Sequence, residues 1–314
     1  MADVIGGNNG RKAQMKTELL IVGSGALATL FAARLSAAGV DVMMLGSWGE
    51  GLAALRKNGA YIEGSESQTV RATDNPADCR GAKLALVLVK SWQTEHSASQ
   101  LADCLANDGL VVTLQNGLGN DTILSNFLGL QRVARGVTTI GATLVAPGVV
   151  RSGGEGVITL EAHSRLAKLE EMLGLAQFKV GVVADVEPVV WGKLIVNAAI
   201  NPLTAILQVK NGELLTSPRA RVLMGQLAQE AAQVAAACAV VLPYLDPVQA
   251  VEEVARRTAG NISSMLQDVL RGTPTEVDAI NGTVIRRGEQ AGVPVPVNRT
   301  IWSLVKALSV RGKI

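Results

Sequence analysis

The first half of the chain alternates short, wholly apolar runs with longer segments of mixed polarity. An apolar run without polar alternation is typical of a parallel strand that is buried on both faces. Strands are therefore predicted over residues 18–22, 40–45, 83–89, 109–114, 133–140, 156–160 and 179–183. Helices are predicted between them, over residues 29–38 (closed by Gly39), 51–58 and 95–106. This order of elements predicts an α/β domain with a mainly parallel sheet.

The pattern changes near residue 185, after which almost no strand signal is left. Helices are predicted over residues 188–209, 218–239, 247–259, 262–270, 276–291 and 297–309. Ser217-Pro218, Asp246-Pro247 and Thr275-x-x-Asp278 are typical helix starts. We therefore predict an α/β domain over residues 17–185 and an all-α domain over residues 186–314. Residues 1–16 are interpreted as a loose leader in which Met15 is an alternative start.

A glycine-rich turn follows the first predicted strand and opens the first predicted helix. Gly23-x-Gly25-x-x-Ala28 fits the dinucleotide fingerprint, in which small residues allow a tight turn and a close approach of the backbone to a pyrophosphate. The helix N-terminus then favours the anion. The first domain is thus predicted to be Rossmann-like. Its cofactor contacts are Gly23, Ser24, Gly25, Ala26, Leu27 and Ala28.

The end of the second predicted strand selects between cofactors. NAD-binding folds usually carry an acid there that bonds the ribose 2′-hydroxyl, but this strand ends in Gly46-Ser47-Trp48. Ser47 is a candidate ligand for a 2′-phosphate, with Arg56 and Lys90 as nearby cations, although both could equally be solvated charges. NADP(H) is the predicted cofactor.

The apolar segment from Trp191 to Pro202 carries three polar residues at helical spacing. Lys193, Asn197 and Asn201 are four residues apart, so they share one face of a helix. Buried Lys and Asn are unfavourable unless they are paired or face a ligand. One interpretation is a structural hydrogen-bond ladder, and the favoured one is the wall of a polar pocket.

Composition excludes several classes of function. The 314 residues are 48% hydrophobic and 18% charged with a net charge of +2, so neither disorder nor a nucleic-acid surface is expected. Three scattered cysteines and two histidines give no metal site or disulfide framework. The basic and then apolar start, which Gly23 and Gly25 interrupt, is interpreted as strand, turn and helix instead of a signal peptide. We expect a cytoplasmic protein without a membrane span that acts on a small molecule, as a monomer or a homodimer.

Hydride transfer to a ketone requires a proton donor, and Lys193 is a better candidate than the two histidines of the first domain. Asn197 and Asn201 could hold a carboxylate or a hydroxyl group of a small substrate. Asn116, which follows a buried strand, is expected to face the crevice where ligands bind, unless it is only the turn residue of Asn-Gly.

Five motifs together resemble the 2-dehydropantoate 2-reductase, or ketopantoate reductase, family over residues 18–305. They are residues 23–28, 89–93, 114–120, the pair 193–197 and 201–205, and the pair 261–268 and 275–282. The resemblance implies that Lys193 is the proton donor and that NADPH reduces 2-dehydropantoate to pantoate in the pantothenate and coenzyme A pathway. Many members carry Arg just after the second strand, where this chain has Gly46-Ser47-Trp48.

The resemblance also implies roles for individual residues. Substrate contacts are Asn116, Asn197, Asn201, Asn211 and Ser264, and cofactor contacts are Lys90, Asn116, Ala142 and Glu276. Simpler interpretations stay open: a helix hydroxyl for Ser264, a helix-start charge for Glu276 and a turn for Asn211-Gly212. Two other functions also stay open, which are reduction of a different branched 2-oxo acid and a non-catalytic NADP-sensing module.

Overall fold

The structure is a computed structural model that describes residues 17–311, with side chains through residue 308. The predicted leader, including Met15, lies outside the described residues. The strands of the first half are β1 Leu19–Val22, β2 Val42–Leu45, β3 Tyr61–Ile62, β4 Arg71–Thr73, β5 Ala82–Val87, β6 Leu105–Thr113, β7 Val133–Thr138, β8 Ala142–Ala146, β9 Val149–Ser152, β10 Val157–Glu161 and β11 Lys179–Val183. Its helices are α1 Ala26–Ala37, α2 Gly49–Asn58, α3 Thr94–Cys104, α4 Asn120–Leu128 and α5 Ala167–Leu175.

Eight of these strands form one sheet in the order β11-β10-β7-β6-β5-β1-β2-β4. The pairs of β1 with β2 and β5 are parallel, and only the β7–β10 pair is antiparallel. The chain order therefore reverses next to β1, and ligands of open α/β sheets bind beyond the strand ends at such a point.

All seven predicted strands are present, and the α/β prediction for this half is confirmed. The strands β3, β4, β8 and β9 were missed because most of their residues are half-buried or exposed, so they are not buried apolar runs. Strands β3, β8 and β9 form a separate three-stranded sheet that packs against α1. The helices α4 and α5 were also missed.

The second half is helical, as predicted, and no strand follows β11 among residues 184–311. Its helices are α6 Glu187–Leu207, α7 Glu213–Thr216, α8 Pro218–Ala237, α9 Pro247–Arg257, α10 Ser264–Leu270, α11 Asn281–Ala291 and α12 Pro296–Arg311. The predicted caps at Ser217 and Asp246 are confirmed, since both side chains accept hydrogen bonds from the first turn.

The predicted helix start at Thr275-x-x-Asp278 is wrong. Helix α11 begins only at Asn281, and residues 275–280 form turns instead. The backbone N–H groups of Ala279 and Ile280 both donate to the carbonyl of Glu276. This local folding leaves the Glu276 side chain available for contacts with the first domain.

Helix α6 is the central helix of the second half. It packs against α8, α9, α10 and α12, and twelve of its residues are buried. By length and mean hydropathy (1.4) it could cross a membrane, which the sequence analysis did not anticipate. However, 67% of the apolar window lies inside the fold, as is typical of the core helix of a globular domain.

Candidate active site

The turn between β1 and α1 has the geometry that a dinucleotide pyrophosphate requires. Gly23 has φ +131°, and a Cβ there would lie 3.3 Å from the Ala28 Cβ and the Leu88 carbonyl. A Cβ on Gly25 would meet no atom within 4 Å, so the backbone is open at the start of α1. The first N–H groups of a helix have no partner within it and attract anions. Residues 23–28 therefore fit the pyrophosphate of a dinucleotide cofactor.

The side chain of Ser47 lies just beyond β2, where an adenosine ribose would be held. Its Oγ accepts a hydrogen bond of 3.4 Å from Gln93 Nε2. The guanidinium of Arg56 is engaged elsewhere, by Asp74 Oδ1 at 2.8 Å and by the Ala72 carbonyl. Ser47 and Gln93 thus give the candidate cofactor site, which begins at residues 23–28, a neutral and polar ribose end.

Lys90 is not a solvated charge, and its role as a cofactor contact stays a prediction. Its Nζ donates to Asp268 Oδ2 at 2.7 Å and lies 3.5 Å from Glu276 Oε2, and both acids belong to the helical half. Burial alone would lower the pKa of Lys90, but the charges of Glu276 and Asp268 outweigh it and raise that pKa. Lys90 therefore stays charged and joins the two halves of the chain.

Glu276 connects several of the predicted site residues. Its carboxylate accepts hydrogen bonds from the Ser91 N–H at 3.0 Å and from Asn116 Nδ2 at 3.1 Å, in addition to the contact with Lys90. Its side chain is only 6% exposed. The prediction that Asn116 faces the crevice is consistent with this contact, because the bond crosses from the end of β6 to the helical half.

Lys193 lies within the electrostatic range of Glu276 but makes no hydrogen bond or ion pair with any residue that the structure describes. Burial lowers the pKa of Lys193 from 10.5 to about 8, although the charge of Glu276 acts in the opposite direction. The amides of Asn197 and Asn201 also have no hydrogen-bond partner among residues 17–308. Three polar side chains on one face of α6 thus have donors to offer a ligand, which a structural hydrogen-bond ladder would not leave unused.

The remaining predicted contacts lie in three other places. Asn211 is buried against the end of α9, where Nδ2 donates to Thr258 Oγ1, and its Oδ1 has no partner within the described part of the chain. Ser264 is the first residue of α10 and half-buried, whereas its neighbour Ser263 caps that helix. Ala142 begins β8, and its half-buried side chain packs against the core of the first domain. The structure does not join these three to the Glu276 cluster by any hydrogen bond within residues 17–308.

Two contributors to the site escaped the sequence analysis. Asp268 was part of a quoted motif but received no role, although it is 5% exposed and holds Lys90. Gly117, with φ +85°, allows Ala279 to approach so closely that a Cβ would lie 2.5 Å from the Ala279 carbonyl oxygen. The one signal that could have revealed Asp268 is that it is the single acid of residues 264–270, because a buried acid is usually paired.

Comparison with known proteins identifies the family of this chain. The family model described as ketopantoate reductase PanE/ApbA matches residues 19–165, and the model for the C terminal of the same family matches residues 185–309. The chain belongs to the ketopantoate reductase family. The 2-dehydropantoate 2-reductase of Archaeoglobus fulgidus is 39% identical over 296 residues, which cover 92% of this chain and 96% of that protein.

Solved structures support the membership and widen the substrate question. A PanE/ApbA family ketopantoate reductase from Ralstonia eutropha JMP134 has a TM-score of 0.88 and 32% identity, with coverage of 94% of this chain and 99% of that chain. D-mandelate dehydrogenase in a ternary structure with NADH and anilino(oxo)acetate has the same TM-score with 25% identity and the same coverage. One protein of this fold is thus solved with NADH and anilino(oxo)acetate bound.

Proposed function

We propose that this protein is an NADPH-dependent 2-dehydropantoate 2-reductase, which reduces ketopantoate to pantoate in the pathway to pantothenate and coenzyme A. The carrying observation is the face of α6, where the Lys193 ammonium and the Asn197 and Asn201 amides have no partner in the described structure. Asn201 is buried, and Lys193 and Asn197 are half-buried. A polar group that loses water without gaining a partner costs about 1–3 kcal/mol. A carboxylate with a neighbouring ketone oxygen would satisfy all three.

Each residue of the proposed site has a separate role in binding the substrate or in moving a proton. Asn197 and Asn201 bind the substrate carboxylate, and Lys193 Nζ hydrogen-bonds the ketone oxygen. Lys193 then transfers its proton to that oxygen as negative charge develops there. Glu276 accepts a hydrogen bond from the substrate hydroxyl. Bound at residues 23–28, the nicotinamide cofactor supplies the hydride that reduces the ketone carbon.

The proposed function predicts selective oxidation of NADPH by one 2-oxo acid. With NADPH and a panel of ketopantoate, 2-oxoisovalerate and phenylglyoxylate, the absorbance of NADPH should fall fastest with ketopantoate. A faster reaction with phenylglyoxylate would assign the chain to a 2-hydroxy acid dehydrogenase resembling D-mandelate dehydrogenase. No oxidation with any 2-oxo acid, despite binding of NADPH, would favour a non-catalytic sensing module.

The neutral ribose end of the candidate cofactor site, at Ser47 and Gln93, predicts a preference between NADPH and NADH. Residues 46–48, directly after β2, include no acid that would repel a 2′-phosphate, so kcat/KM should be higher with NADPH than with NADH. Ser47→Asp should reverse this preference, because a carboxylate there bonds the ribose 2′-hydroxyl and repels phosphate. Asn58→Asp, at the exposed far end of α2, serves as the control, because it adds the same single negative charge away from Ser47. Equal efficiency of the wild type with both cofactors would contradict the assignment of NADP(H).

We also propose a cytoplasmic location. All three cysteines are free thiols, and two of them, Cys79 and Cys104, are buried. Reduced thiols are usual in that compartment.

A further inference from the structure

The active-site helix α6 contains a proline in its interior. Pro202 follows Asn201 directly, and the helix continues to Leu207. Proline has no N–H, so it cannot donate the usual hydrogen bond to the carbonyl four residues earlier. That carbonyl belongs to Ala198, which lies between the two asparagines of the proposed substrate face.

A side chain from another helix donates to this carbonyl. Asn281, the first residue of α11, is fully buried, and its Nδ2 donates to the Ala198 oxygen at 3.0 Å. The bond joins residues 83 positions apart in the sequence. It replaces the hydrogen bond that Pro202 removes.

The orientation of the Asn281 amide is fixed by a buried polar network. Asn298 Nδ2 donates to the Leu227 carbonyl and to the Glu230 carboxylate, which leaves Asn298 Oδ1 as an acceptor. Asn281 Nδ2 donates to that oxygen at 3.0 Å as well. A flipped Asn281 amide would place its oxygen against two other oxygens.

This orientation is unfavourable for the oxygen of the same Asn281 amide. Asn281 Oδ1 is buried and has no hydrogen-bond partner among residues 17–308. A buried acceptor without a partner costs about 1–3 kcal/mol. The side-chain N–H groups of Asn281 therefore make its stabilising contacts, and they donate to the Ala198 carbonyl and to Asn298 Oδ1.

We propose that Asn281 is a positioning residue for the reaction: by donating to the Ala198 carbonyl, it holds the proline-interrupted turn of α6 that aims Asn197 and Asn201 at the substrate carboxylate. Asn281 touches neither substrate nor cofactor and acts only through this backbone carbonyl. The expected change in KM for ketopantoate rests on the proposed function. The hydrogen bond by which Asn281 compensates for Pro202 does not.

The test is a double-mutant cycle with Pro202→Ala and Asn281→Ala. Alanine at position 202 restores an N–H that can donate to the Ala198 carbonyl, so Asn281 should matter less in that background. In the otherwise wild-type enzyme, Asn281→Ala should raise KM for ketopantoate ~10-fold, as expected for one lost buried hydrogen bond, and leave KM for NADPH within about 2-fold. In the Pro202→Ala background, the same change should raise KM for ketopantoate less than about 3-fold.

The melting temperature gives a second readout that does not depend on turnover. Asn281→Ala should lower Tm more in the wild-type background than in the Pro202→Ala background. This coupling tests the inference even if the enzyme does not reduce ketopantoate, so the two failures can be distinguished. Asn281→Ala alone could prove insoluble. In that case, a soluble double variant supports the inference. An insoluble double variant, with Pro202→Ala alone soluble, overturns it.

Asn298→Ala is the matched control, because it removes the other acceptor of the same Asn281 amide, while the Ala198 carbonyl stays in place and by itself disfavours the flipped amide. It should lower Tm without raising KM for ketopantoate selectively. Equal effects of Asn281→Ala in both backgrounds would overturn the inference. A selective rise in KM for ketopantoate with Asn298→Ala would do the same, because the buried network and not the Ala198 carbonyl would then be responsible.

Discussion

Replacing Lys193 by methionine should lower kcat for ketopantoate by ~10²–10⁴-fold, the usual contribution of a general acid. Methionine has a similar length but can neither hydrogen-bond the ketone oxygen as a cation nor give it a proton. KM for NADPH should stay nearly unchanged, because the proposed cofactor contacts, residues 23–28 and Ser47, lie in the other half of the chain. Lys193→Arg should also be slow, since a guanidinium keeps its proton.

The pH dependence supplies a separate signature of Lys193. Burial lowers its pKa to about 8, so the free enzyme loses the required proton as the pH rises through that value. In the wild type kcat/KM should therefore fall above about pH 8, whereas Lys193→Met should lack this alkaline limb. A bound substrate carboxylate stabilises the ammonium, so the limb in kcat should lie at higher pH than the limb in kcat/KM.

Folding failure can be separated from loss of the proton donor. Lys193 has no hydrogen-bond partner in the described structure, so removing its charge should not lower Tm. Lys83→Met is the control, because Lys83 forms only an exposed ion pair with Asp108. Near-normal kcat in Lys193→Met with an intact alkaline limb would exclude Lys193 as the donor and leave Glu276 as the next candidate.

Local sequence signals predicted seven strands of the first half, its glycine-rich turn and the polar face of α6. Buried parallel strands are continuous apolar runs, so all seven predicted strands exist, and the glycine turn at residues 23–28 lies where the pattern placed it. The spacing of Lys193, Asn197 and Asn201 fixes one face of a helix whatever packs against it. Periodicity reports such features because they depend on neighbours within a few residues.

Contacts between the two halves of the chain could not be derived from the same signals. Lys90 and Asp268 are 178 residues apart, and nothing in the local pattern of either predicts the other. The segment from Thr275 to Asp278 has a capping signature, yet it forms turns and brings Glu276 to Asn116. Tertiary contacts decided both cases, and the local sequence pattern does not report such contacts.

Glu276 is expected to select the substrate by its hydroxyl group. Ketopantoate carries a hydroxyl that 2-oxoisovalerate lacks, and a site built to bond a hydroxyl discriminates strongly against an analogue without it. The wild type should therefore prefer ketopantoate in kcat/KM. Glu276→Gln keeps the size of the side chain but removes the charge that accepts this hydrogen bond. It should reduce the preference by ~10–100-fold, since a hydrogen bond to a charged group contributes about 1.5–3 kcal/mol.

The ratio between the two substrates isolates this effect from the other consequences of the change. Glu276 raises the pKa of Lys193 by its charge, so Glu276→Gln should shift the alkaline limb of kcat/KM to lower pH with both substrates. Weakened contacts with Ser91, Asn116 and Lys90 should likewise reduce kcat/KM with both substrates. The two substrates differ by a hydroxymethyl group, and only its hydroxyl is proposed to bond Glu276. Ser264→Ala should reduce the same ratio if Ser264 also contacts that hydroxyl. Glu230→Gln is the control, because that carboxylate bonds the first turn of α12 and should leave the ratio unchanged. Equal losses on both substrates in Glu276→Gln would show that Glu276 maintains the contact between the two halves of the chain without recognising the hydroxyl.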